Sequence, residues 1–214
     1  MTRPRILLAD DHTLVLEGLR KILEDDFDVI ETVEDGRALI EAAQRLEPDV
    51  IVLDISMPLL NGLEAARHIK KLMPSSKLIF LTMHADPTYA TEAFQAGASG
   101  FLLKRSASSE LSQAIQAVLK NQFYVTPVIA KDLLSPLVQP SPHAPPKGVA
   151  LTTRQREVLQ LVAEGKSTKD VASILNISIK TVEFHKSHIM QQLDLHTTAE
   201  LTKYAISHGL VSPE

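Results

Sequence analysis

Five short runs rich in branched aliphatic residues punctuate the first half of the chain: RILLA (5–9), DVIETV (28–33), DVIVLD (49–54), KLIFLT (77–82) and GFLL (100–103). Between and after them lie five stretches whose apolar residues recur at helical spacing, HTLVLEGLRKILED, GRALIEAAQRLE, GLEAARHIKKLM, PTYATEAFQAG and SSELSQAIQAVLK. This alternation restricts the fold more than any other feature. Parallel strands need a crossover between them, and a helix is the usual crossover. A near-continuous run such as VIVL has no polar face, as expected of a strand covered on both sides. Residues 1–122 therefore predict a doubly wound (βα)5 α/β unit, a parallel sheet with helices on both faces.

The second half has a different grammar. TTRQREVLQLVAEG starts at a threonine cap and stops at Gly165, STKDVASILN places Ser167 three residues before Asp170, SIKTVEFHKSHIMQQL starts at Ser178, and TTAELTKYAISHG stops at Gly209. Such caps and stops predict a four-helix, all-α module over residues 149–214. Residues 135–148 hold five of the twelve prolines and no apolar period, so 123–148 reads as a Pro-rich, partly helical linker. Just before the prolines, FYVTPVIAKDLL reads as a short helix or as a segment docked on a domain. Charge separates the modules too. Residues 1–122 hold 13 Lys/Arg against 18 Asp/Glu, and residues 148–214 hold 7 against 7. The sequence has no cysteine, which excludes disulfides, thiolate catalysis and cysteine-ligated zinc and fits a reducing cytoplasm. No run approaches the ~20 apolar residues of a membrane span, and the N-terminus lacks a signal-peptide pattern.

Each of four strand runs in the first module closes on a polar residue: Asp10-Asp11, Asp54, Thr82 and Lys104. In an open parallel sheet the carboxyl ends of the strands share one edge, where ligands bind. Side chains far apart in sequence thus converge on one cleft. Three carboxylates there repel one another unless a cation lies among them, and oxygen donors suit Mg²⁺ before Ca²⁺. Mg²⁺ seeks phosphate oxygens, and a carboxylate such as Asp54 can serve as nucleophile in aspartyl-phosphate chemistry. Lys104 and Thr82 then supply the cation and the hydroxyl that phosphoryl oxygens require, leaving catalysis to positioning and charge.

ADDH, IVLDISMPLLNGLEA, FLTMHAD and GASGFLLKRS resemble a bacterial response-regulator receiver domain, and residues 151–193 resemble a LuxR-class helix-turn-helix. Together they resemble the NarL/FixJ family of two-component response regulators. The resemblance implies a flavodoxin-like strand order 2-1-3-4-5 and gives each residue a role. Asp54 is the phosphoacceptor, and Asp11, Asp54 and the Ser56 carbonyl ligate Mg²⁺, with Asp10 acting through water. Lys104 pairs with the phosphoryl group, Thr82 reorients to bond it, and Phe101 swings inward in step. Ser56 and His84 match positions that tune aspartyl-phosphate lifetime. The implied partners are a sensor histidine kinase, paired half-sites in promoter DNA, a second copy of the phosphorylated chain and RNA polymerase, all in the cytoplasm and away from membranes. Enzymatic activity is limited to self-catalysed phosphoryl transfer to Asp54 and slow hydrolysis. One residue departs from the pattern: many receivers have a cis proline after the lysine, and here Arg105 follows Lys104, leaving that loop's geometry open.

In the second module Val171, Ala172, Leu175, Ile177, Val182, Ile189 and Leu193 form the inward set, while Lys180, Glu183, Phe184, Lys186, Ser187 and Met190 face outward. Such a helix enters the major groove. By resemblance Glu183, Phe184 and Ser187 face bases; Lys180, Thr181, Lys186 and Lys169 complete the DNA-binding set, the lysines as phosphate contacts. His185 and His188 read as packing or capping residues rather than metal ligands. The last helix, with Leu201, Tyr204, Ala205 and Leu210, supplies a dimer face or closes the small core. A neutral DNA module on an acidic receiver binds weakly alone, and pairing offsets this. Two other readings compete. One is a regulator driven by a ligand or partner without phosphorylation. The other is an aspartyl phosphatase or mutase, disfavoured because Asp54-Ile55-Ser56 lacks a second acid two residues after the nucleophile.

Overall fold

The computed structural model describes residues 3–138 and 151–211, with side chains described to residue 133 in the first segment. The proline-rich part of the expected linker, 139–150, lies outside the described residues. The first module alternates β1 (Arg5–Ala9), α1 (Thr13–Leu23), β2 (Asp28–Val33), α2 (Gly36–Leu46), β3 (Val50–Leu53), α3 (Gly62–Leu72), β4 (Lys77–Thr82), α4 (Pro87–Gln95), β5 (Gly100–Leu103) and α5 (Ala107–Leu119). All neighbouring strands pair in parallel. Alternate strand residues enter opposite cores. Leu7, Ile51, Leu53, Phe80 and Phe101 pack with α2, α3 and α4, and Ile6, Leu8, Val52, Ile79 and Leu102 pack with α1 and α5.

The sheet has one strand more than the five read from the sequence. β6 (Tyr124–Val125) pairs with β5, and α6 (Pro127–Val138) follows it, so the order is β2-β1-β3-β4-β5-β6. Ile129 on α6 is fully buried in the core shared with α3 and α4, and the Thr126 hydroxyl donates to Glu110 on α5 at 2.9 Å. The stretch FYVTPVIAKDLL is therefore both helical and docked on the receiver sheet.

The second module comprises α7 (Thr153–Ala163), α8 (Thr168–Leu175), α9 (Ile179–Leu193) and α10 (Thr198–Ser207). Reciprocal capping boxes start α7 (Thr152 with Gln155), α8 (Ser167 with Asp170) and α10 (Thr197 with Glu200), each satisfying backbone N–H groups that have no helical partner. Val158, Leu161, Val171, Val182, Ile189, Leu201 and Ala205 form its core. Leu201, Ala205 and Leu210 on and after α10 point inward and close this core. Met190, expected to face outward, packs against the same core, because the α9 apolar stripe is wider than its three aliphatic residues suggest.

The modules touch at the β3–α3 loop. Gln160 on α7 donates to the Met57 carbonyl (2.9 Å) and accepts from the Asn61 N–H (2.8 Å), while the Glu164 carboxylate accepts from the Leu59 N–H (3.1 Å). His68 on α3 reaches Glu157 at 2.8 Å, and Arg156 pairs with the buried Glu64 carboxylate. The Leu59 side chain packs on the second module's core from a left-handed backbone, φ 64°.

Candidate functional site

The carboxyl edge of the sheet gathers the polar residues that close its strands. Asp10 follows β1, Asp54 follows β3, Thr82 ends β4, and Lys104 opens a 3-10 turn after β5. The Lys104 ammonium lies between two carboxylates, 2.6 Å from Asp10 Oδ2 and 2.7 Å from Asp54 Oδ2. All three side chains are at most 10% exposed. Burial alone lowers an ammonium's pKa. Here the charges and hydrogen bonds of Asp54 and Asp10 outweigh it and hold Lys104 above its ordinary value. The cation demanded by clustered carboxylates is thus supplied in part by the chain itself. The Lys104–Arg105 bond is trans, so the arginine fits this loop without the cis geometry.

Asp54 keeps its Oδ1 bonded to the Ile55 N–H at 2.6 Å, which fixes the carboxylate at the strand end. The loop after Asp54 is tight, and two residues make it so. A Cβ at Gly62 would overlap the Asp54 carbonyl oxygen, so Gly62 serves close backbone approach. Leu59 takes the left-handed dihedral in this loop. Asp11 is more open, and its carboxylate contacts His12 Nδ1 at 2.8 Å. Asp10, Asp11 and His12 bring potential ligand atoms within 4.8 Å of one another. His12 was visible in the ADDH motif, but its turn back onto both acids was not.

Thr82 and Phe101 are fully buried, and Phe101 belongs to the core between the sheet and α4. Thr82 Oγ1 accepts from the His84 N–H at 3.2 Å. His84 Nε2 lies 3.0 Å from the Ser56 hydroxyl, and its ring stacks on Tyr89 with centroids 4.5 Å apart. Ser56 and His84, more than a strand apart in sequence, thus form one hydrogen-bonded pair beside Asp54.

On α9, Lys180, Glu183, Phe184 and Ser187 are exposed, as is Lys169 on α8. Phe184 is 66% exposed, unusual for an aromatic residue on a helix whose other face is packed. Its ring stacks parallel to His188, with centroids 6.0 Å apart, and His188 Nδ1 meets the Gln155 amide at 2.9 Å. His185 is half-buried and held below the ordinary histidine value by burial, then by Arg154 and His188. His185 therefore packs, while His188 is exposed and held by Phe184 and Gln155. Thr181 and Lys186 are less free than the other outward residues: the Thr181 hydroxyl meets Ser178 at 2.7 Å, and the Lys186 ammonium donates to Thr198 at 2.9 Å.

A lysine-bridged acid pair at the carboxyl edge of a 2-1-3-4-5-6 parallel sheet, joined to a helix-turn-helix with an open second helix, defines a receiver coupled to a DNA-binding module. Family comparison agrees: residues 6–116 match the response regulator receiver domain and residues 149–205 the LuxR family of bacterial regulatory proteins. The chain belongs to the NarL/FixJ family of two-component transcriptional response regulators. It is 35% identical to the oxygen regulatory protein NreC of Staphylococcus carnosus over 214 residues, covering 97% of this chain and 99% of that protein. It is 33% identical to the response regulator UvrY of Escherichia coli over 211 residues, covering 98% and 96%. Among solved structures, RcsB of Salmonella typhimurium superposes with a TM-score of 0.66 at 31% identity, covering 97% of this chain and 98% of that one. RcsB in complex with DNA superposes at 0.60 with 30% identity, covering 96% and 99%. Among the described residues no helix is long and apolar enough to cross a membrane.

Proposed function

We propose that this regulator is switched by Mg²⁺-dependent phosphorylation of Asp54 by a sensor histidine kinase, and that the phosphorylated chain pairs on promoter DNA. The observation that carries the reading is the buried Asp54 carboxylate, held at a strand end with one oxygen on Lys104 and Asp10 opposite. The hard oxygen donors fit a divalent cation: Asp11, Asp54 and the Ser56 carbonyl would hold Mg²⁺ directly and Asp10 through water. Bound there, Mg²⁺ neutralises phosphoryl oxygens. Asp54 Oδ attacks the phosphorus of a phosphohistidine, the P–N bond breaks, and the imidazole leaves. Lys104 pairs with a transferred oxygen, and Thr82 turns its hydroxyl toward another. Enzymatic activity in this reading is confined to that transfer and the slow hydrolysis of its product. A cleft of about 640 Å³, lined by Asp11, Ser56 and Pro58 on the receiver and by Glu164 and Lys166 on the DNA-binding module, opens beside the site and admits a small donor.

At DNA, α9 enters the major groove, with Glu183, Phe184 and Ser187 toward bases and Lys180, Thr181, Lys186 and Lys169 toward the backbone. The open face of α9 supports this placement. Pairing of two chains on half-sites is supported by one RcsB neighbour, solved as two RcsB dimers bound to two parallel DNAs. RNA polymerase is the further partner expected at a promoter. The receiver is read as residues 1–122, the linker as 123–148 and the DNA-binding domain as 149–214, in the cytoplasm.

The test is intact mass after incubation with Mg²⁺ and acetyl phosphate. One phosphoryl group on the wild type and none on Asp54→Asn is expected. No adduct on the wild type, together with no binding of beryllium fluoride, would replace this reading with regulation by a ligand or partner.

A further inference from the structure

Lys104 reaches its two carboxylates on a flexible stem, so its place depends on the backbone it starts from. That backbone is a short 3-10 turn, Lys104–Ser106, whose leading residue Leu103 gives it no side-chain cap. Arg105 is exposed and brings no ring to fix the turn. The restraint comes from further along the chain. The β6 ladder runs from the Tyr124 N–H to the Ser99 carbonyl (3.1 Å) and from the Thr126 N–H to the Phe101 carbonyl (3.0 Å). The even spacing of a parallel ladder next calls for the Thr126 carbonyl opposite the Leu103 N–H. That carbonyl is turned into α6, where it accepts from the Ala130 N–H at 3.1 Å. The Thr126 hydroxyl stands in for it. Its Oγ1 accepts from the Leu103 N–H at 3.3 Å, donates to Glu110 on α5 at 2.9 Å and lies 3.5 Å from the Ser106 hydroxyl. Ser106 in turn donates to the Leu103 carbonyl at 3.0 Å. Both backbone polar groups of Leu103 are thus held by hydroxyls. Leu103 and Thr126 are 2% and 3% exposed, so bulk water does not reach this contact.

We infer that Thr126 is a positioning residue for phosphoryl transfer to Asp54, acting through the turn that carries Lys104. The inference rests on the phosphorylation reading above. The hydroxyl works on the residue before Lys104 and not on the phosphoryl group. Without it the Leu103 N–H is buried and unpaired, a state relieved by a shift of the end of β5. Lys104 is attached at that end, and its ammonium must meet one oxygen of each of two acids. A small displacement of the turn therefore reaches the group that pairs with the transferred oxygen. The phosphorylation site is then framed by residues beyond 122. The junction of β6 and α6, at the start of the expected linker, takes part in the chemistry as well as in the fold.

The experiment compares Thr126→Val, which keeps the shape and removes the hydroxyl, with Thr126→Ser, which keeps the hydroxyl, both in the full chain. Two readouts are taken on the same samples. One is the rate of adduct formation with Mg²⁺ and acetyl phosphate, by intact mass. The other is the NMR signal of the Lys104 methylene beside its ammonium in a ¹³C-lysine-labelled chain, assigned by its loss in Lys104→Arg. Thr126→Val is expected to slow phosphorylation about tenfold and to move the Lys104 signal toward those of exposed lysines. Thr126→Ser is expected to restore both. Circular dichroism checks the fold. Should Thr126→Val fail to fold, Glu110→Ala, which removes the acceptor that orients the hydroxyl, is expected to change both readouts in the same direction. A folded Thr126→Val (or Glu110→Ala in its place) with the wild-type rate overturns the inference and leaves the phosphorylation reading intact. So does a slowed variant whose Lys104 signal stays in place, since Thr126 would then act elsewhere. A Thr126→Ser as slow as Thr126→Val also overturns it, because the hydroxyl would not be the cause. A wild type that takes up neither the phosphoryl group nor beryllium fluoride fails at the earlier reading, and the role of Thr126 in transfer falls with it.

Discussion

Phe184 and Lys180 lie on the same open face of α9, yet the two should fail differently. A lysine that meets a phosphate releases a counterion, so its removal weakens binding to any sequence. An aromatic ring against a thymine methyl discriminates between bases and carries no charge. Lys180→Ala should weaken DNA binding about uniformly and lower the slope of log affinity against log salt by about 1. Phe184→Ala should leave that slope unchanged and flatten a preference worth about 1–3 kcal/mol at one base pair. Binding titrations at several salt concentrations on matched and mismatched sites separate these outcomes. At this scale the sequence was most informative where a residue's position followed from its strand. Asp10, Asp54, Thr82 and Lys104 were legible because each closes a strand that ends at one shared edge. The contacts of Leu59, Gln160 and Glu164 were not, because each depends on where one module rests on another, which no local pattern encodes.

The strands of the receiver were legible as elements because burial on both faces leaves them almost without polar residues. β6 escaped for the opposite reason: it has two residues, Tyr124 and Val125, both only half-buried, and pairs on one side only. Thr126 followed by Pro127 was nonetheless a helix-start signal, since proline suits the first helical position. The element that results is structural. Ile129 is fully buried against the sheet's core, so Ile129→Ala should destabilise the receiver by about 2–5 kcal/mol. Urea unfolding of the full chain, followed through the receiver transition, measures this. An effect below about 0.5 kcal/mol would mean that α6 is only loosely attached.

Across the whole molecule, two glutamates at the module boundary give docking a dependence on pH. Glu164 is raised by burial, a cost only partly offset by Gln160, the Leu59 N–H, Lys166 and Arg37. Its ionised form is therefore the costlier one to bury at the boundary, and its protonation as pH falls relieves that cost. Glu157 behaves oppositely: burial pushes it up, but His68 and Arg154 outweigh this and hold it below the ordinary 4.5. Its contribution is present above 4.5 and disappears as pH falls through the depressed value. Only the His68 part belongs to docking, since Arg154 lies in the same module. The docked fraction should rise as pH falls toward the raised Glu164 value and drop again as it falls below 4.5 through the depressed Glu157 value. Small-angle X-ray scattering across that range measures it, and Glu164→Gln should abolish the first leg while leaving the second.

The open face of α9 in the docked chain has a further consequence. In the docked arrangement the receiver does not cover that face, so docking as such does not bar α9 from DNA. What docking fixes is the distance and angle between the reading helix and the rest of its own chain. Two copies in that fixed posture fit only half-sites whose spacing happens to match it.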